Sequence, residues 1–316
     1  MRASFDTALD QAGILVIDGS MSTALEQMGC DLNDSLWTAK VLAEQPDLVR
    51  QVHENYFRAG ADCGITCSYQ ATIPGLMAHG YTQGEAEDLI RRSVELFRQA
   101  RENWWQAEGK AAGRVYPLCL AGIGPYGAYL ADGSEYRGHY GVSADALRDF
   151  HRRRMELLWQ AGADILLIET DPSLEEALLE ADIAEELDAD YWVSFSCKDG
   201  QHINEGTPIR DCVAALAQGH PHLKMVGVNC TPPQYIEELI GECRKGGDLP
   251  VGVYPNSGET YDPTTKTWHG SRMSITFGDY ARRWMRAGAK AVGGCCRTVD
   301  VHVKQVVQAR AAVLGK

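Results

Sequence analysis

No stretch of the sequence is apolar for long enough to span a bilayer, which takes about 20 residues. Nor does it contain a run of Lys or Arg that would seat the chain on an anionic membrane surface. The first residues carry Asp6 and Asp10 and only a short apolar segment at 13–17, without the basic lead and longer apolar centre of a signal peptide. Positive charge is scarce: 30 Lys and Arg against 43 Asp and Glu leave a formal charge of −13, which repels phosphate backbones. These absences lead to the expectation of a soluble, cytoplasmic protein that handles small molecules, with neither nucleic acid nor membrane as partner.

Also missing are low-complexity tracts and long linkers, so the 316 residues read as one domain over 1–316. What recurs is a phrase. "FRAGADCGIT" (57–66), "WQAGADILLIET" (159–170) and "MRAGAKAVGGCC" (285–296) each end a helical pattern in Ala-Gly-Ala and then begin an apolar run. Glycine just past a helix is its usual stop, and an apolar run without polar alternation is a strand buried on both faces. The stripes Leu48, Val52, Tyr56 and Leu147, Phe150, Leu157, Leu158 predict helices over 46–58 and 144–161, the second capped by Ser143. Val299, Val303, Val306, Val307 and Leu314 predict a last one.

Eight strands are expected, at 14–18, 61–66, 117–122, 164–169, 191–197, 224–229, 250–254 and 290–294. Eight βα units in this length predict a (β/α)8 TIM barrel in the α/β class. A doubly wound sheet is the alternative, but "DGSMST" after the first strand lacks the G-x-G-x-x-G spacing of a phosphate loop.

A barrel gathers the carboxyl ends of its strands on one rim, where active sites are built. Asp18 ends the first strand, Glu169 the fourth, Cys230 follows the sixth, and Cys295-Cys296 follow the eighth. The other cysteines give no C-x2-C pair; Cys63, Cys119 and Cys212 read as small buried hydrophobes, and a disulfide framework is not expected. Strands six and eight lie roughly 10 Å apart, given usual strand spacing, and their loops can close that gap. Three thiolates on one rim suit zinc, and the lack of a fourth ligand leaves the open position of a catalytic site. Buried thiols or a vicinal disulfide are the alternatives.

An open position on a zinc trithiolate suits a guest thiol, which coordination would strip of its proton. The resulting negative site attracts a cationic electrophile, and methyl transfer from a sulfonium or quaternary ammonium fits that balance. Asp18 and Glu169 could converge on an ammonium group, with N–H groups after Gly19 receiving a carboxylate. The alternative is that Asp18 caps the next helix and Glu169 pairs with an arginine.

"DGSMSTALE" (18–26), "SLWTAK" (35–40), "TCSYQAT" (66–72), "GVNC" (227–230), "VYPNSGE" (253–259) and "GGCCRT" (293–298) strongly resemble the homocysteine S-methyltransferases, in order and across nearly the whole chain. The resemblance implies a barrel with one catalytic zinc (Zn2+) on Cys230, Cys295 and Cys296, and Asp18 and Glu169 holding the amino acid part of L-homocysteine. It implies that Gln70, Asn229 and Trp37 line the pocket. The stretches 124–141 and 257–270 resemble the branch that uses S-methylmethionine. The betaine-using enzymes differ in the first and carry Tyr where this chain has Gln70. Tyr126, Tyr129, Tyr136, Tyr261 and Trp268 in these loops either face a donor cation or pack the loops themselves. The expected function is zinc-dependent methyl transfer from S-methylmethionine, with S-adenosylmethionine as a candidate second donor, to homocysteine, giving methionine. The alternatives are a betaine-dependent enzyme, a zinc-dependent hydrolase, which would need His or carboxylate ligands at strand ends, and a noncatalytic thiol- or metal-binding protein.

Overall fold

A computed structural model describes residues 2–258, 260–262, 267–269 and 275–315, with side chains described outside 259–274. Eight strands share one sheet: β1 (Leu15–Val16), β2 (Cys63–Ile65), β3 (Leu118–Ile123), β4 (Ile165–Asp171), β5 (Tyr191–Phe195), β6 (Leu223–Asn229), β7 (Val251–Tyr254) and β10 (Ala291–Val292). A small antiparallel hairpin, β8 (Thr260–Asp262) and β9 (Thr267–His269), lies between the last two. The order is β1-β10-β7-β6-β5-β4-β3-β2, with every neighbour parallel. The two ends of that order meet. Ile17 pairs with Cys63, the Asp62 N–H donates to the Val16 carbonyl at 2.8 Å, and the Asp18 N–H donates to the Cys63 carbonyl at 3.1 Å. The sheet thus closes into the expected (β/α)8 barrel. The hairpin adds to that plan; its three-residue strands are too short to show a period of two in the sequence.

The apolar runs look continuous because both faces are buried. Leu15, Leu118, Leu120, Ile165, Leu167, Trp192 and Met225 fill the lumen. Their neighbours Val16, Cys119, Ala121, Leu166, Ile168, Val193 and Val226 pack outward against the helices. Successive side chains of a strand point to opposite faces, so in a barrel one set becomes the lumen and the other the helix bed. The Trp192 indole lies across β7, where a Cβ on Gly252 would run into its ring. It packs edge-on against Tyr254 at 5.9 Å.

Helices follow the sequence expectation closely. Pro46–Ala59 ends at Gly60 with φ 118°, and Ala144–Gln160 starts from Ser143, whose hydroxyl accepts the Ala146 N–H at 3.3 Å. The last helix is Asp300–Leu314. Cys63, Cys119 and Cys212 are fully buried, as small hydrophobes would be. No described helix is long and apolar enough to cross a membrane.

The closing seam is short, and one side chain completes it. Asp62, 1% exposed, accepts the Val16 N–H at 2.9 Å and pairs with Arg310 of the last helix. Asp62→Ala removes the acceptor of a buried N–H and strands a guanidinium. It is expected to lower unfolding free energy by about 3 kcal/mol, read from urea titrations; a loss below about 1 kcal/mol would mean that the seam does not depend on this carboxylate.

Candidate metal centre and its pocket

The three cysteines meet because β7 lies between β6 and β10. The Cys230 N–H donates to the Tyr254 carbonyl at 3.4 Å, the Cys295 N–H to the Pro255 carbonyl at 2.8 Å, and the Ser257 N–H to the Cys296 carbonyl at 3.1 Å. Cys230 turns off its strand with φ 46°, in the left-handed region that side chains avoid. Gly293 permits the approach on the other side, since a Cβ there would lie 2.5 Å from that of Ile17. The Thr298 hydroxyl fixes the turn by donating to the Cys295 carbonyl at 2.7 Å.

All three sulfurs lie within 4.8 Å of one another. Cys230 to Cys296 is 3.9 Å and Cys295 to Cys296 is 4.0 Å. Sulfurs bound at about 2.3 Å in a tetrahedron stand about 3.8 Å apart, so these separations fit a tetrahedral metal site. The remaining pair, Cys230 and Cys295, has its sulfurs in contact, with Cα atoms 5.6 Å apart. The sequence reading expects no disulfide framework and leaves a vicinal Cys295–Cys296 pair as an alternative; the sulfurs that approach most closely are instead those of Cys230 and Cys295. Only the reduced set offers three thiolates. Burial, then the charge of Glu169, pushes the Cys296 thiol up to about 12.

Asp18 and Glu169 both point into this mouth. Asp18 does not cap the following helix; Ser20 does, accepting the Thr23 N–H at 3.2 Å. Asp18 Oδ2 accepts the Ile65 N–H at 3.0 Å, while Oδ1 is buried without a partner. Among the described residues Glu169 pairs with no arginine; it accepts the Tyr254 hydroxyl at 3.2 Å. Burial raises the Asp18 carboxyl well above its usual range, with the Glu169 charge adding to the rise, and burial pushes Glu169 up to about 8. Two desolvated carboxylates and an orphaned oxygen form a receptor for a cation. Glycines make room: a Cβ on Gly122 would lie 2.6 Å from Glu169 Oε1, and one on Gly64 2.8 Å from Asp18 Oδ2. The Ser20 N–H, by contrast, already donates to the Thr298 carbonyl at 2.9 Å, which narrows the anion-binding reading of that helix start.

Asn229 is fully buried with its amide committed. Oδ1 accepts the Thr170 N–H and the Ser194 hydroxyl at 2.9 and 2.8 Å, and Nδ2 donates to the Thr170 hydroxyl at 2.7 Å. It shapes the wall through Thr170, itself at φ 64°, beside Cys230. Gln70 donates to the Ala128 carbonyl at 2.7 Å and keeps Oε1 buried and free. Trp37, half-buried at φ 48°, meets Tyr69 edge-on at 6.5 Å.

The loop after β3 crosses over this pocket on a buried ionic anchor. Arg154 donates to the Gly124 carbonyl at 2.7 Å, and Glu176 accepts the Tyr126 N–H at 2.6 Å. His151 touches both Glu176 and Glu180 at 2.8 Å. This His-Glu-Glu group is the second described cluster with metal-ligand geometry, but Arg154 lies 3.0 Å from His151 and already supplies its cation. Sequence reasoning misses the cluster because its members lie on two helices rather than at strand ends. Tyr126, Tyr129 and Tyr140 pack around or beside Phe150 at ring distances of 5.0–5.7 Å and so hold the loop itself. Tyr261 and Trp268 lie outside the residues with described side chains. Tyr69, Tyr254 and Glu135 also border the mouth and are absent from the sequence-based candidates; Tyr69 falls within "TCSYQAT" and Tyr254 within "VYPNSGE", the usable signal for each.

The family profile described as homocysteine S-methyltransferase matches residues 15–310. The chain is 50% identical over 299 residues to homocysteine S-methyltransferase YbgG of Bacillus subtilis, covering 94% of this chain and 95% of that protein. It is 48% identical over 300 residues to the homocysteine S-methyltransferase of Escherichia coli, covering 93% and 94%. The metallated crystal form of the homocysteine methyltransferase MmuM from Escherichia coli superposes with a TM-score of 0.85 at 44% identity, over 95% of this chain and 97% of that one. With thiols, paired acids and barrel in the arrangement described, the chain belongs to the homocysteine S-methyltransferase family.

Proposed function

We propose that this methyltransferase moves a methyl group from S-methylmethionine to the thiol of L-homocysteine, with zinc on Cys230, Cys295 and Cys296. The observation that carries the reading is the juxtaposition of three mutually close sulfurs with two buried carboxylates, one of which keeps an unpartnered oxygen. Zinc, when bound, supplies a positive centre on which a thiol gives up its proton near neutral pH. Asp18 and Glu169 take the substrate ammonium, which sets the length of the homocysteine chain against the cysteines. Asn229 and Thr170 stiffen the wall behind them, and Trp37 and Gln70 bound the donor side. The homocysteine sulfur contributes the electron pair of the new carbon–sulfur bond. The donor's methyl–sulfur bond breaks with its pair remaining on the donor sulfur, and the thiol proton goes to solvent. One S-methylmethionine and one homocysteine thus give two methionines, with no oxidant or further acid required. Positioning and charge do the catalysis. The likeness of 124–141 to S-methylmethionine-using enzymes, and Gln70 in place of Tyr, support that donor over betaine; S-adenosylmethionine carries the same sulfonium and amino acid groups. A reducing compartment such as the cytoplasm suits a centre that works only with Cys230 and Cys295 unpaired.

Reduced protein loaded with zinc is expected to hold about one ion per chain by elemental analysis. Replacing all three cysteines by serine should remove it, and retained metal would refute the ligand set. Homocysteine affinity should strengthen as pH rises toward 8, because Glu169, pushed up to about 8 by burial, must lose its proton to hold an ammonium. Glu169→Gln should weaken binding and flatten that part of the profile in calorimetric titrations. An unchanged profile would place the ammonium elsewhere. In competition, methionine formation should draw on S-methylmethionine ahead of betaine; the reverse preference would overturn the donor assignment.

A further inference from the structure

A third carboxylate overlooks the mouth and keeps one oxygen without a partner. Glu135 lies on the single 3-10 turn Ser134–Tyr136 of the loop after β3. Its backbone is fixed to the rim: the Ser196 hydroxyl, at the end of β5, lies 3.3 Å from the Glu135 carbonyl and 3.2 Å from that of Thr170. Gly127 packs so closely beneath that a Cβ there would lie 2.6 Å from the Glu135 nitrogen. The neighbouring guanidinium is turned away, with Arg137 donating to the Ser134 hydroxyl at 2.8 Å and reaching Asp132 at 3.4 Å. Glu135 Oε2 is left buried without a hydrogen bond. The carboxylate lies within electrostatic reach of the rim. After burial, its charge is the largest influence raising the Tyr69 phenol, and it also contributes to raising the Cys296 thiol.

We propose that Glu135 binds the α-ammonium group of the methyl donor and selects donors that carry one. The assignment rests on the donor reading above. A buried carboxylate oxygen without a partner calls for an N–H donor, and a charged one satisfies it best. A sulfonium centre has no N–H to give, so the group that fits is the amino end of the donor rather than its reacting end. The homocysteine ammonium already has Asp18 and Glu169 at the strand ends, whereas Glu135 belongs to the loop that crosses them. Betaine and dimethylsulfoniopropionate are cationic methyl donors without any N–H. Against both, an ionised Glu135 would remain desolvated and unpaired, which is a penalty on binding the wrong donor.

The test compares kcat/KM of the zinc-loaded protein for S-methylmethionine and for dimethylsulfoniopropionate, which lacks the carbon that bears the amino group. In Glu135→Gln, kcat/KM for S-methylmethionine should fall about 30-fold or more, carried by KM, as expected for removing one partner of a buried charge pair. The value for dimethylsulfoniopropionate should rise as the desolvated charge is removed, while the KM for homocysteine and the zinc content stay as they are. Calorimetric titration of S-methylmethionine without homocysteine, where no turnover occurs, should show the same loss of affinity. Unchanged affinity in that titration, or an equal loss on both donors, overturns the assignment. Failure of the wild-type protein to form methionine from S-methylmethionine overturns the donor reading itself, and this assignment with it.

Discussion

Three backbone hydrogen bonds at the end of β7 hold the site together. Cys230 donates to Tyr254, Cys295 donates to Pro255, and Cys296 accepts from Ser257, so one strand end registers both cysteine loops. Parallel register then does what no local motif could: residues 65 apart in sequence bring their sulfurs into contact. The same strand end carries the Tyr254 hydroxyl to Glu169, so acid and thiols are referenced to one backbone segment. Below it, Trp192 fills the lumen where β7 has Gly252 and supports Tyr254 edge-on. The core is therefore continuous with the chemistry, from indole to phenol to carboxylate.

Charge organises the remainder of the mouth. Asp18, Glu169 and Glu135 surround a Cys296 thiol that burial holds in the neutral form, and among the described residues no arginine or lysine pairs with the first two. Such an arrangement is unfavourable when empty of cations. It becomes favourable as ammonium groups, an onium centre and a divalent ion enter. The acidity seen in the overall charge of −13 is therefore concentrated where it has work to do, as well as spread over the surface.

The barrel is legible in the sequence because each strand is buried on both faces and each is followed by helix-length segments with glycine stops, as at Gly60 and Gly288. Cys230, Cys295, Cys296, Asp18 and Glu169 are legible because strand ends converge in this architecture, so position along the chain stands in for position in space. Other features leave no such trace. Which oxygen of Asp18 is free depends on the Ile65 N–H, a contact between β1 and β2. That Asn229 faces Thr170 and Ser194 rather than an open pocket depends on three strands at once. Glu135 looks like any loop glutamate until Ser196 and Gly127 fix its turn. The Cys230–Cys295 contact follows from a distance that no spacing rule encodes.

Among the described residues, the non-glycine positions with positive φ are Trp37, Ala131, His139, Thr170, Asp188, Cys230 and Arg297, and all but Asp188 belong to the rim or the loop that crosses it. Each such conformation costs on the order of 1–3 kcal/mol, which the surrounding scaffold must absorb. Thermal hardening of this protein by sequence change would therefore do best on the opposite, amino-terminal side of the barrel. Relaxing the contorted edge would gain heat tolerance at the expense of the chemistry that the contortion maintains.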